Sequence, residues 1–121
     1  MKTKIFNHLT LILVILMFAS VILKANYITD EKTTEISLPS IQCGICEKNI
    51  EKALRELDGV ISSKVDLENK KAVITYDNSK TVFKKLEKAI TNAGYAANNR
   101  KANKQAYINL MECCKLPEDR K

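Results

Sequence analysis

The sequence predicts an α+β fold, a ferredoxin-like βαββαβ sandwich carrying a short helical extension at its C-terminal end. Three observations predict it. Two stretches place apolar residues at helical spacing, short runs with period-two alternation flank them, and turn-forming residues mark the joins. A split β-α-β arrangement with both helices on one face of an antiparallel sheet is the compact way to bury such a set.

The first segment stands apart from that fold. Met1 to Lys4 is short and basic, and Leu9 to Leu23 is apolar except for Thr10 and Ser20. A cationic start before a short apolar helix has the physics of an export signal, with Ala25 as a small-residue cleavage position, so residues 1–25 are read as a signal peptide. An uncleaved N-terminal membrane anchor is the rival, because Ile5 and Phe6 extend the apolar span toward the roughly 20 residues a bilayer core needs. Either way the remainder is expected outside the cytoplasm, in a periplasmic or similar compartment. Residues 26–33 are polar and without apolar period, and read as a linker.

The domain is expected over residues 34–98. Ile36 and Leu38 alternate with Glu35 and Ser37 as a first strand, ended by Pro39 and Ser40. Cys46, Ile50, Ala53, Leu54 and Leu57 then form one helical stripe, with Glu47, Lys48, Glu51, Lys52 and Arg55 on the wet face, and Asp58-Gly59 stops the helix. Ile61, Ser63, Val65 and Leu67 share a parity as the second strand. Glu68-Asn69-Lys70 turns the chain, and Ala72, Ile74 and Tyr76 return it as a hairpin. Val82, Phe83, Leu86, Ala89, Ile90 and Ala93 trace the second helix, with Gly94 as its C-terminal cap and Tyr95 to Asn98 as a last edge strand. In the extension, 99–121, a short helix would line up Tyr107, Met111 and Cys114 on one stripe and Ala106, Leu110 and Cys113 on the next, before a polar tail from Lys115.

Composition narrows the chemistry. The 121 residues carry 20 Lys and Arg against 14 Asp and Glu. The leader holds Lys2, Lys4 and Lys24 and no acid, so residues 26–121 carry 17 basic against 14 acidic side chains. So small and interspersed a surplus argues against nucleic acid as a partner. Three glycines and two prolines, with no run of either, supply no phosphate-cradling loop. The sole histidine, His8, lies in the leader, so no folded domain has a His base or a Cys–His pair. Four cysteines remain: Cys43, Cys46, Cys113 and Cys114.

Cys43-Gly44-Ile45-Cys46 sits where a loop enters a helix. Backbone N–H groups and the positive end of the helix dipole stabilise a thiolate there. Two thiolates two residues apart can converge on one soft ion, Cu(I) or Hg(II) before hard cations, whereas a closed Zn(II) site needs four ligands. The spacing alone equally fits a structural disulfide, the default bond in an oxidising compartment, or a redox pair. Cys113 and Cys114 are adjacent, and a ring closed between neighbours is strained, so they favour outside partners. They could cap the first pair's metal, bind a second ion, reduce the first pair or link two chains.

The order of motifs adds to this. Ile36, Leu38 and Ile41 lead into Cys43-Gly44-Ile45-Cys46, followed by Leu57-Asp58-Gly59-Val60, Val65-Asp66-Leu67-Glu68, Val73-Ile74-Thr75-Tyr76-Asp77 and Ala93-Gly94-Tyr95. Over nearly all of residues 34–98 this resembles the heavy-metal-associated domain family, which includes copper chaperones, modules of metal-transporting ATPases and a periplasmic mercuric-ion carrier. An export signal followed by one such domain is similar in architecture to the last. The resemblance implies Cys43 and Cys46 as metal ligands, with Cys113 and Cys114 as further candidates outside the common domain, and Tyr95 beside the metal loop or simply packed at a helix end. It implies Cu(I) or Hg(II) as the ion, with Zn(II) as a further option, and a metal-transporting membrane protein as the partner of a non-enzymatic, monomeric carrier. The family commonly has Gly-Met where this chain has Ser40-Ile41; Ile41 fills the same apolar space and Ser40 stiffens the loop. A thiol–disulfide oxidoreductase using the same pair is the alternative, opposed by the lack of Trp and of an opening β-α unit before the motif. A non-catalytic sensor or adaptor is the third reading.

Overall fold

The structure is a computed structural model that describes residues 2–22 and 29–121. Helix α1 spans Lys2–Ile22. The candidate cleavage position Ala25 and the first linker residues, 26–28, lie outside the described residues. Among the described residues no helix is long and apolar enough to cross a membrane.

The sheet has three strands, β1 (Glu31–Ser37), β2 (Val60–Asp66) and β3 (Lys71–Asp77), in the order β1-β3-β2 with both pairings antiparallel. β1 begins inside the stretch read as linker: polar residues 31–33 pair with β3 from Glu31 opposite Asp77 onward. One face of the sheet is wet, with the Thr33 and Thr75 hydroxyls 3.0 Å apart and Lys71 donating to Glu35 at 2.9 Å. The other face buries Ile36, Val65, Ala72, Ile74 and Tyr76 beneath α2 (Gly44–Arg55) and α3 (Phe83–Asn92). Cys46, Ile50 and Leu54 of α2 and Leu86 and Ile90 of α3 are fully buried, as the stripes require. Burying each large aliphatic contributes about 1.5–3 kcal/mol.

Two expected strands differ in detail. A bulge between Val60 and Ser62 shifts the register of β2, so Val60 packs against the core and Ile61 is left 53% exposed. The fourth strand is absent among the described residues. Asn98 takes up φ 51 and curls the chain into an isolated bridge between Ala97 and Arg100. Its N–H donates to the Ser37 carbonyl at 2.8 Å and its Oδ1 accepts from the Ser37 N–H at 2.9 Å. Asn98 Nδ2 also donates to Glu87, whose other oxygen pairs with Arg100 at 2.8 Å. A single asparagine therefore makes the contacts to β1 that a strand was expected to make, its backbone N–H donating and its side-chain oxygen accepting.

Gly94 follows α3 at φ 97, the left-handed cap position expected of it. Beyond it, the extension is more broken than one helix. α4 covers only Lys104–Ile108, capped by Asn103 accepting from the Ala106 N–H at 3.0 Å. Two 3-10 turns follow, Glu112–Cys114 and Pro117–Asp119. The stripe that would carry Met111 inward is thus interrupted, and Met111 is 59% exposed. The last residues are tied down: Tyr107 donates to Asp119 at 2.7 Å and accepts from the Leu116 N–H at 2.9 Å, and Lys115 pairs with Glu112 at 2.6 Å.

Candidate metal centre

Cys43 occupies the cap position of α2 in an extended conformation, and Cys46 lies in the first turn, where its N–H donates to the Cys43 carbonyl at 2.9 Å. The loop that delivers them is held on both sides. Ile41 is fully buried, in the apolar role expected of it, and Ser40 Oγ accepts from the Ala96 N–H at 2.8 Å, which fixes the loop against the chain after α3. Farther along α2, Glu47 and Glu51 accept from the N–H groups of Leu67 and Val65 at 3.1 and 3.0 Å. These carboxylates, assigned to the wet face by spacing, lock the helix onto the outer edge of β2.

All four cysteines are free thiols and all four meet. Cys43 Sγ lies 3.5 Å from Cys46, 3.4 Å from Cys113 and 3.7 Å from Cys114, and the last two are 4.0 Å apart. Cys43, Cys113 and Cys114 form a mutually close triad, with Cys46 outside that set. Cys46 and Cys114 are fully buried, whereas Cys43 and Cys113 are partly exposed. The site therefore has an open side and a closed side.

The surroundings divide the thiols electrically. Burial works to raise the Cys43 value, but the Cys46 amide, the Cys113 and Cys46 thiols and the Ile45 amide face its sulfur and favour the anion, bringing it down to about 7. Burial pushes the Cys114 thiol well up, with Cys46 and Cys43 adding to the effect. Cys113 is raised as well, chiefly because it donates to Cys43. Cys43 is thus the sulfur of the cluster whose environment favours the anion, ionising near pH 7, while Cys113 and Cys114 are held toward the protonated form.

Tyr95 is fully buried beside these sulfurs, and its hydroxyl accepts from Asn49 Nδ2 at 3.0 Å. Burial first, then the neighbouring Cys114 and Cys46, keeps that hydroxyl protonated. Both expectations for Tyr95 hold together, since it packs at the end of α3 and also borders the sulfur cluster. Asn49 went unrecognised in the sequence. Its position three residues after Cys46, at the border of the apolar stripe, was the available signal.

With this geometry in place, comparison with known proteins is decisive on one point. Residues 35–96 match the profile of the heavy-metal-associated domain. The chain belongs to this family. The mercuric transport protein periplasmic component of Shewanella putrefaciens is 39% identical over 80 residues, 66% of this chain and 88% of that one. The protein of the same name from Pseudomonas aeruginosa is 39% identical over 64 residues, 53% and 70% of the two chains. Among solved structures, oxidized MerP from Ralstonia metallidurans CH34 superposes with TM-score 0.54 at 35% identity, covering 56% of this chain and 94% of that one. CopZ metallochaperone gives TM-score 0.53 at 33% identity, covering 55% and 98%. The heavy-metal-associated domain thus accounts for the sandwich and the Cys43–Cys46 loop, while Cys113 and Cys114 lie beyond the matched residues.

Proposed function

We propose that this heavy-metal-associated protein is an extracytoplasmic carrier that holds a thiophilic ion, Cu(I) or Hg(II), through Cys43 and Cys46 and passes it to a metal-transporting membrane protein. The observation that carries the reading is the pair of sulfurs 3.5 Å apart at the start of α2, one partly exposed and ionising near pH 7, the other buried. Mercuric transport is in the name of the Shewanella relative, and CopZ is named a metallochaperone. Cys43 is placed to receive the ion first, because the thiolate is the form that ligates and it faces solvent.

Transfer then needs no redox step. An acceptor thiol gives up its proton and bonds the ion, a bond to Cys46 or Cys43 breaks, and the departing thiolate takes up a proton in turn. The total number of metal–sulfur bonds never falls far, so the barrier stays low. Ile45, 39% exposed between the two cysteines, is the apolar side chain available to a docking partner. The apolar side chains of α1 from Leu11 to Met17 are all more than half exposed, as suits an export leader or anchor, and the N-terminal mass of the exported protein separates the two. An N-terminus at Met1 overturns cleavage.

The site is tested by anaerobic titration of Cu(I) and of Hg(II) into the wild type, Cys43→Ser and Cys46→Ser against a competing thiol. Weakened binding in both variants is expected. Unchanged affinity in both removes the site.

A further inference from the structure

We infer that the C-terminal extension is a built-in third ligand arm: Cys113 and Cys114 join Cys43 in a three-sulfur site that closes over the ion the Cys43–Cys46 loop takes up. This rests on the carrier reading and deepens it. The distances carry the argument. An ion bound at about 2.3 Å to each of two sulfurs in a straight line holds them about 4.6 Å apart, whereas three sulfurs around one ion stand about 4.0 Å apart. Cys43 and Cys46, at 3.5 Å, are well inside the linear separation. Cys43, Cys113 and Cys114, with edges of 3.4, 3.7 and 4.0 Å, approach the trigonal one and are the mutually close set.

The extension is also built to hold that position. Its Asn103 N–H donates to the Thr91 carbonyl of α3 at 2.9 Å, the backbone of Ala106 and Tyr107 lies against Gly94, and the Cys114 N–H donates to the Met111 carbonyl at 2.8 Å. Cys114 is fully buried within the core that also contains Cys46, Ile41 and Tyr95. The chemistry suits a soft ion that accepts three thiolates, Cu(I) or Hg(II). As the site closes, each joining thiol releases its proton to solvent, three metal–sulfur bonds form, and the ion's previous ligands leave. Release to a partner then requires the partner's thiols to displace the tail's, so the tail occupies the coordination position an acceptor needs.

The test loads the full chain with one equivalent of Hg(II) under anaerobic conditions. It counts sulfur neighbours by X-ray absorption and follows removal of the ion by a dithiol competitor. The expected result is three sulfurs in the wild type, falling to two in the Cys113→Ser/Cys114→Ser variant, with removal faster by about tenfold or more. Because Cys114 is buried, Cys113→Ser alone is measured beside it, and the same loss of a sulfur is expected there. Two sulfurs in the wild type, or a count and removal rate unchanged by Cys113→Ser, overturn the tail site and leave the carrier standing. Failure of the wild type to retain Hg(II), or retention by Cys43→Ser equal to wild type, overturns the carrier reading and the tail site together.

Discussion

Cys43 Sγ lies closer to Cys113 Sγ, 70 residues away in the chain, than to Cys46 Sγ within its own motif, at 3.4 against 3.5 Å. The thiol of Cys113 donates to Cys43, so the two do not titrate alike.

Selective alkylation is the consequence of that inequality. Thiolates react and thiols do not, so iodoacetamide should modify Cys43 first, its rate half-maximal near pH 7, where the sulfur ionises. Cys114, buried and held protonated, should stay unmodified until the fold opens. Peptide mapping after brief labelling across a pH series checks the order, and equal labelling of both would contradict it.

Gly94→Ala should loosen the extension from the domain. Its φ of 97 is strained for any side chain, and a Cβ there would stand 3.0 Å from the Ala106 carbonyl carbon and 3.1 Å from the Tyr107 nitrogen. The expected cost is about 1–2 kcal/mol in urea unfolding, with hydrogen exchange rising at residues of α4. An unchanged midpoint would show that the contact can yield freely.

Tyr95→Phe removes the acceptor of Asn49 Nδ2 and keeps the ring in place. The orphaned amide should cost about 1 kcal/mol, because Asn49 is only partly buried and water can repair part of the loss. The comparison with Asn49→Ala separates the bond from the packing: a double variant less destabilised than the sum of the two single changes is expected of a direct pairing.

Acid unfolding should have a carboxylate limb set by Asp77 and Asp66. The Ser79 hydroxyl and N–H donate to Asp77, and the Asn69 side chain and N–H donate to Asp66, holding both carboxyls below their ordinary range. A folded value below the unfolded one contributes stability that is complete above the unfolded value, about 3.9, and is lost as pH falls through the folded value. Asp77→Asn should therefore flatten the fall in melting temperature below about pH 4. A variant as acid-sensitive as wild type would place the limb elsewhere.

What could be read from the chain was what local period encodes. The stripe Cys46-Ile50-Leu54, the hairpin through Asn69 and the Gly94 cap each arise from spacings of a few residues, and each stands as expected. What escaped depends on partners distant in sequence. No spacing rule reveals that Asn98 would satisfy Ser37, 61 residues earlier, and so replace a strand. Nor does one show that the helix carrying the stripe through Cys114 would end at Ile108, with the Tyr107 hydroxyl binding Asp119 and the Leu116 N–H instead. At the site, the resemblance implied Cys43 and Cys46 as ligands, while the approach of Cys113 and Cys114 to Cys43 depends on a fold-back of 70 residues that no local spacing encodes.

Glu47 and Glu51 have one more effect. A strand at the border of a sheet offers unpaired amides to any neighbouring chain, and such borders seed aggregation. With the Val65 and Leu67 amides already taken by these carboxylates, the β2 border is a poor template for a second copy. The molecule can keep its reactive sulfurs accessible without its sheet inviting self-association along that side.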